Sequence, residues 1–206
     1  MSKSALGLPH ILAVLFLAAA AVGGGRASFA EGRVRLFTVS TEADDPAGAV
    51  FVPSGWMGDT GDVSLATDSR EDPHAGATCV KVVYRYNPAA RQGWAGVLWQ
   101  HPENNWGETK DAGIDLSATT RLTFWARGER GGERIEEFKV GGAKGSYPDS
   151  DEAKIGPIVL TDTWQPYTID LKSKDLSYVI TGFGWATNLR ANPDGCTFYL
   201  DDIRFE

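Results

Sequence analysis

Three tryptophans fall in one short stretch, Gly93-Trp94-Ala95-Gly96-Val97-Leu98-Trp99-Gln100-His101-Pro102-Glu103-Asn104-Asn105-Trp106-Gly107. A packed core favours Leu, Ile and Val, with a rare Trp whose N–H finds a partner. Trp interleaved with Gln, His, Asn and Gly suits a different task, stacking on and hydrogen-bonding a polar ligand. Sugars have that character, with apolar C–H faces and hydroxylated edges. Trp99, His101, Asn104, Asn105 and Trp106, joined by Trp125 and Arg127, are therefore candidates for a sugar-binding face. A ring-face contact of this kind contributes about 0.5–2 kcal/mol.

The acid residues give no sign of hydrolysis. A glycosidase needs two carboxylates roughly 5–10 Å apart across a cleft. Glu136 and Glu137 are adjacent on an expected strand, so alternation sends them to opposite faces. Asp149-Ser150-Asp151-Glu152 lies in a Gly/Pro/Ser-containing loop and reads as solvated. Of the three histidines, His10, His74 and His101, no two have zinc-ligand spacing. Gly141-Gly142-Ala143-Lys144-Gly145-Ser146 lacks the spacing and the following helix of a phosphate loop.

The elements that position these residues read as strands. Short alternating apolar runs are punctuated by Gly, Pro, Asn and Asp, the pattern of an all-β sandwich or barrel. Strands are expected at 34–40, 63–68, 79–86, 94–101, 121–127, 134–141, 155–161, 165–171, 179–185 and 197–205. Alternation puts Val80, Val82 and Tyr84 on one face, and Leu122, Phe124 and Ala126 inward with Trp125 and Arg127 outward. In 94–101 it separates Ala95, Val97, Trp99 and His101 from Trp94, Gly96, Leu98 and Gln100, without saying which set is core.

The first thirty residues read as an export leader. Lys3 is a positive start, and Ile11 to Val22 is an apolar run of about twelve residues, too short to span a bilayer. Ser28-Phe29-Ala30 fits a cleavage site, leaving 176 of 206 residues for a single domain, 31–206. Without Lys3 and Arg26, 18 basic residues face 27 acidic ones, a net charge of −9. Such a domain is a poor partner for nucleic acid or an anionic membrane surface. It also disfavours strongly anionic polysaccharides, unless a local basic patch overrides the net charge.

Several motifs occur together in a characteristic order. They are Pro73-His74-Ala75-Gly76-Ala77-Thr78-Cys79-Val80-Lys81-Val82, Asp115-Leu116-Ser117, Leu122-Thr123-Phe124-Trp125-Ala126-Arg127-Gly128, Trp164-Gln165-Pro166-Tyr167-Thr168-Ile169-Asp170-Leu171 and Thr197-Phe198-Tyr199-Leu200-Asp201-Asp202-Ile203-Arg204-Phe205-Glu206. Across residues 50 to 206 the chain resembles the β-jelly-roll carbohydrate-binding modules of the galactose-binding-domain-like type, as attached to bacterial glucanases. The resemblance implies a two-sheet antiparallel β-sandwich with an aromatic-lined ligand face. It also implies a structural calcium held by Asp201, by the Gly76–Thr78 turn and by an acid such as Asp68, since calcium takes six to eight oxygen ligands. If that metal joins Thr78 to Asp201, Cys196 lies about 15–17 Å from Cys79 along the strand. That is too far for a disulfide.

The expected protein is thus an exported, non-catalytic carbohydrate-binding module for a neutral β-glucan-like polysaccharide or oligosaccharide, without membrane insertion. Such modules are usually attached to a catalytic domain and none is seen in this chain, so the expectation is either a solute or wall binder acting alone or a partner of a separate glycoside hydrolase. A small jelly-roll hydrolase or lyase, and a cell-surface interaction module without a sugar site, are the rival readings. Strand alternation selects Trp99 and Trp106, not Trp94, for the site, with Trp125 on the same sheet.

Overall fold

The computed structural model describes residues 37–38, 50–89 and 92–206. The expected leader, residues 1–30, lies outside them. The compact unit Val34–Glu206 contains thirteen strands among the described residues and no α-helix: β1 (Phe37–Thr38), β2 (Val52–Gly58), β3 (Val63–Ser69), β4 (Cys79–Arg85), β5 (Trp94–Gln100), β6 (Arg121–Gly128), β7 (Arg134–Ile135), β8 (Glu137–Gly141), β9 (Glu152–Ile155), β10 (Ile158–Val159), β11 (Gln165–Asp170), β12 (Thr181–Asn188) and β13 (Gly195–Phe205). None of the described residues forms a helix long and apolar enough to cross a membrane.

The strands build two antiparallel sheets. The first runs β11-β6-β13-β4-β3, with β1 also pairing β13, and the second runs β2-β5-β12-β8-β9. A small ladder joins β7 to β10. Each strand is apolar at every second residue, which dictates that the sheets stack apolar face to apolar face. Val80, Val82, Tyr84, Leu122, Phe124, Ala126, Phe198 and Leu200 fill the first inner face. Ala95, Val97, Trp99, Phe138, Val140, Phe183 and Trp185 fill the second, all nearly or wholly buried. Rings cross between the sheets: Phe124 lies 4.8 Å from Phe138, and Trp185 meets Phe198 edge-on at 5.1 Å. Each such side chain contributes about 1.5–3 kcal/mol of burial. The architecture is the expected all-β jelly-roll sandwich.

Two expectations are corrected here. Trp99 is 1 % exposed and packs edge-on against Phe183 at 5.3 Å. It belongs to the core and cannot stack on a ligand. Trp125 is not on the same sheet, because β6 lies in the first and β5 in the second. The two cysteines are both buried and both free. Cys196 alternates with Phe198 and Leu200 into the core, whereas Cys79 precedes the core residue Val80 and faces the other way.

Candidate functional site

With Ala95, Val97 and Trp99 in the core, Trp94, Gly96, Leu98 and Gln100 point to the outer face of the second sheet. Their cross-strand partners follow. Gly184, Ala186 and Asn188 of β12 lie opposite Leu98, Gly96 and Trp94, and Lys139 and Glu137 of β8 lie opposite Gly184 and Ala186. Met57 of β2 lies opposite Gly96. The middle of this face is floored by small residues. A Cβ on Gly96 would come within 2.6 Å of the Trp185 carbonyl and 3.0 Å of the Met57 methyl, and one on Gly184 within 2.5 Å of Leu98. Met57 and Leu98 lie close over these glycines, and a larger residue at either position would displace them.

The half-buried Trp94 borders one end of the floor. Its strand starts at a turn held by the Asp59 carboxylate, which accepts the Gln92 and Gly93 N–H groups at 3.1 and 2.6 Å. Gly93 takes φ +70° there, a conformation glycine adopts without strain. β8 and β9 flank the floor with ion pairs: Lys139 with Glu152 at 3.0 Å, and Lys154 with Glu137 at 3.1 Å. Glu136 pairs with Arg134 at 3.0 Å. Residue 136 is a bend between β7 and β8, so the alternation breaks. Ile135 and Phe138 are buried, while Glu136 and Glu137 both face outward. The sequence expectation of opposite faces is corrected accordingly, and each carboxylate is matched by its own cation.

Two loops wall the other end. Gln100, fully buried, accepts from the Ser54 hydroxyl and donates through Nε2 to the Asn105 carbonyl at 2.8 Å. The Asn104 N–H donates to Ser54 Oγ. These bonds fold residues 101–109 back beside the outer face. Asn105, also buried, donates to the His101 carbonyl and accepts the Gly107 and Thr109 N–H groups. The loop 143–150 lies against it, with the Tyr147 N–H donating to the Gly107 carbonyl at 2.8 Å. A Cβ on Gly107 would strike the Lys144 carbonyl and one on Gly145 the Trp106 carbonyl, so the close approach of the two backbones relies on both glycines. Asp149 ties this second loop to β12, accepting from Ile180, Thr181 and Ala143. Burial pushes the Asp149 carboxyl above its ordinary pKa, against the opposing pull of those N–H donors. The wall leaves two aromatics at the surface, Trp106 at 41 % and Tyr147 at 36 % exposure.

Trp125 and Arg127 sit on the outer face of the first sheet, where the segment 70–76 covers them. The His74 ring stacks on Trp125 at 3.7 Å, with 18° between the planes. The Arg127 guanidinium lies 3.9 Å from the Tyr199 ring centre and 5.3 Å from that of Trp164. It donates to the Glu71 carbonyl at 3.1 Å and stands 3.6 Å from the Asp72 carboxylate. Trp164 Nε1 donates to the Asp72 carbonyl. The Glu71 carboxylate accepts from Lys81 and from the Tyr199 hydroxyl, and the Lys81 bond, then the Tyr199 bond, hold it below its ordinary pKa. These contacts clamp a loop onto a sheet, and Arg127 is only 8 % exposed.

The same contacts test the implied calcium site. Calcium needs converging oxygen acceptors. Asp201 Oδ2 instead accepts the N–H groups of His74 and Ala75, and Oδ1 accepts that of Asp202. The Glu71 and Asp72 carbonyls receive Arg127 and Trp164. Asp68 and Gly76 are exposed, and Thr78 is half-buried. No group of three or more acidic, His or Cys side chains able to hold a metal occurs among the described residues. The Asp201 carboxylate and the Glu71 and Asp72 carbonyls are thus engaged by N–H donors and a guanidinium.

Of the predicted sugar-site residues, the structure keeps Asn104 and Trp106 near the outer face of the second sheet. His101 is half-buried, with Nδ1 2.9 Å from the Val50 carbonyl, and Asn105 is a buried loop brace. Trp56, 37 % exposed, lies on edge strand β2. Missed were Trp94, Tyr147 and the small-residue floor. The signal lay in β5 itself: the set Trp94, Gly96, Leu98, Gln100 carries a glycine and an amide that a core face would not choose.

No protein-family profile and no curated protein matches the chain. Solved structures do. The family 30 carbohydrate-binding module of a cellulosomal cellulase of Clostridium thermocellum is 17 % identical with a TM-score of 0.57, over 83 % of this chain and 96 % of that one. Two further family 30 carbohydrate-binding modules reach a TM-score of 0.55 at 15 % and 17 % identity, over 84 % and 83 % of this chain and 88 % and 98 % of theirs. The chain has the β-jelly-roll fold of carbohydrate-binding modules.

Proposed function

We propose that this protein is a non-catalytic carbohydrate-binding module that lays a polysaccharide chain along the outer face of its second sheet. The observation that carries the reading is the small-residue floor of Gly96, Gly184 and Ala186 between Trp94 and the wall bearing Trp106 and Tyr147. The seven residues of β5 span about 20 Å, long enough for several linked sugar rings. Trp94 offers a ring face for stacking, and the half-buried Met57 extends the apolar track. The Lys139–Glu152 and Lys154–Glu137 pairs offer donors and acceptors to hydroxyls without net charge, which suits a neutral, β-glucan-like backbone. The carboxylates Glu136, Glu137 and Glu152 beside this face are each bound to a cation, which supports the non-catalytic reading. The reading includes export under the leader at residues 1–30 and cooperation with a separate glycoside hydrolase.

Affinity electrophoresis of the 31–206 chain through soluble glucans tests this, beside Trp94→Ala and Trp106→Ala. Retardation of the wild type, and its loss in Trp94→Ala, is expected. Migration unaffected by every glycan would remove the reading. Release of reducing ends from the same polysaccharides would replace it with a hydrolase.

A further inference from the structure

The Trp94 end of the outer face opens into a pocket of about 560 Å³ lined by Arg134, Glu136, Asn188, Arg190 and Ala191. That is within the size range of small-molecule sites, about 300–1,000 Å³. It is continuous with the face already described, since Asn188 is the cross-strand partner of Trp94. Ile135 is buried in the core, so Arg134 and Glu136 on either side of it point outward into the pocket.

The carboxylates of β8, of β9 and of the bend before β8 are each matched by a cation. Glu137 has Lys154, Glu152 has Lys139, and Glu136 has Arg134. Arg190 is exposed, and no described carboxylate pairs with it. The Arg134–Glu136 bond uses Nε, so the outer edge of the Arg134 guanidinium is also available. A chain of formal net charge −7 thus gathers a local positive surplus in this pocket. A guanidinium matches a carboxylate with two parallel charge-assisted bonds, which a hydroxyl cannot return.

The backbone that carries both arginines is fixed in advance. The buried Asn192 donates to the Arg134 carbonyl at 2.7 Å and to Thr187 Oγ1 at 2.8 Å, and accepts the Arg134 N–H at 3.0 Å. Asn188 Oδ1 accepts the Ala191 N–H at 2.8 Å, which leaves its amide donor for a ligand. Strand β7 and the turn after β12 are therefore locked together, and little ordering cost remains for binding.

We propose that this pocket is a subsite for an acidic sugar, one uronosyl unit ending or branching from a neutral chain that lies on the rest of the face. The carboxylate meets Arg190 and the outer edge of Arg134, Asn188 donates to a ring hydroxyl, and Trp94 borders the next ring. The inference rests on the carbohydrate-binding reading above and narrows its ligand class.

Isothermal titration of the 31–206 chain with matched oligosaccharide pairs tests it. One member carries a single glucuronosyl end unit on a β-glucan or β-xylan backbone, and the other is the same molecule with that carboxyl reduced. The acidic member should bind about ten- to a hundredfold tighter, with the gap narrowing as salt is raised. Arg190→Gln, checked for an unchanged Tm, should bring the acidic ligand down to the affinity of its neutral pair. Equal binding of both members by the wild type, or a preference that survives in Arg190→Gln, overturns the acidic subsite while sugar binding stands. Binding of neither member on either backbone overturns the subsite together with the reading beneath it.

Discussion

Trp94 and Trp99 stand five positions apart on one strand and have opposite duties. Trp99→Ala should destabilise the protein by about 3–5 kcal/mol, the usual cost of emptying a buried tryptophan site, seen as a lower denaturant midpoint. Trp94→Ala should leave that midpoint nearly unchanged and weaken glycan affinity about tenfold, measured by titration. Alternation divided β5 into two sets, but the choice between them needed the three-dimensional neighbours: Phe183 of the adjacent strand packs edge-on against Trp99 and in turn meets Phe124 of the facing sheet. A third tryptophan, Trp125, is outward as alternation says, yet it serves His74 rather than a ligand. That stacking depends on a partner 51 positions earlier in the chain, which no local pattern announces. The cysteines give a further test at this scale. Burial pushes the Cys79 thiol up to about 11 and Cys196 up to about 12. Thiol reagents at neutral pH should leave both untouched in the folded chain and label both once it is unfolded in denaturant.

At the scale of the element, the segment 70–76 is where the resemblance and the structure diverge most. The motif around Gly76 and the Asp201-Asp202 pair do meet, as the jelly-roll order implied. They meet through the His74 and Ala75 N–H groups on the Asp201 carboxylate and through His74 Nδ1 at the Asp202 carboxylate. Glu71 holds this segment to Lys81 and Tyr199, and its carboxyl lies below its ordinary pKa. A lowered folded pKa means that the unfolded chain takes up the proton first. The stabilisation is therefore complete above glutamate's ordinary pKa and is lost as pH falls through the lower folded value. Tm followed against pH should show an acid-side fall that Glu71→Gln flattens; an identical acid limb in the variant would show that this anchor contributes nothing. The strand Val52–Gly58 was invisible to pattern because Pro53, Gly55 and Gly58 read as breakers. It is an edge strand with a register shift between Pro53 and Gly55, and an edge is where a proline forfeits no ladder bond. Its loss from the sequence reading also hid Met57, which lies close over Gly96.

For the whole molecule, the two-sheet jelly roll was readable from short alternating runs and turn residues, because the inner faces impose a strict period of two. The proposed binding face was not, because it depends on Gly96 and Gly184 letting Met57 and Leu98 lie close over the sheet, and on loops brought together from 101–109 and 143–150. The account also makes a whole-domain claim about calcium. A calcium at a hundredfold excess over its Kd would add about 2.7 kcal/mol, so its removal would lower Tm by roughly 5–10 °C. With the described donors turned to Asp201, chelation with EDTA should produce no such fall in a thermal melt. A drop of that size would mean that oxygens outside the described residues complete the site.

The central claim is that sugar lies on the outer face of the second sheet and nowhere else. The indole N–H signals of the seven tryptophans, followed by NMR while a soluble β-glucan oligosaccharide is added, test it most directly. The account predicts shifts for Trp94 and Trp106, with Trp99 and Trp185 in the core and Trp125 and Trp164 under the segment 70–76 unmoved. Shifts at Trp125 and Trp164 without movement of Trp94 would contradict it.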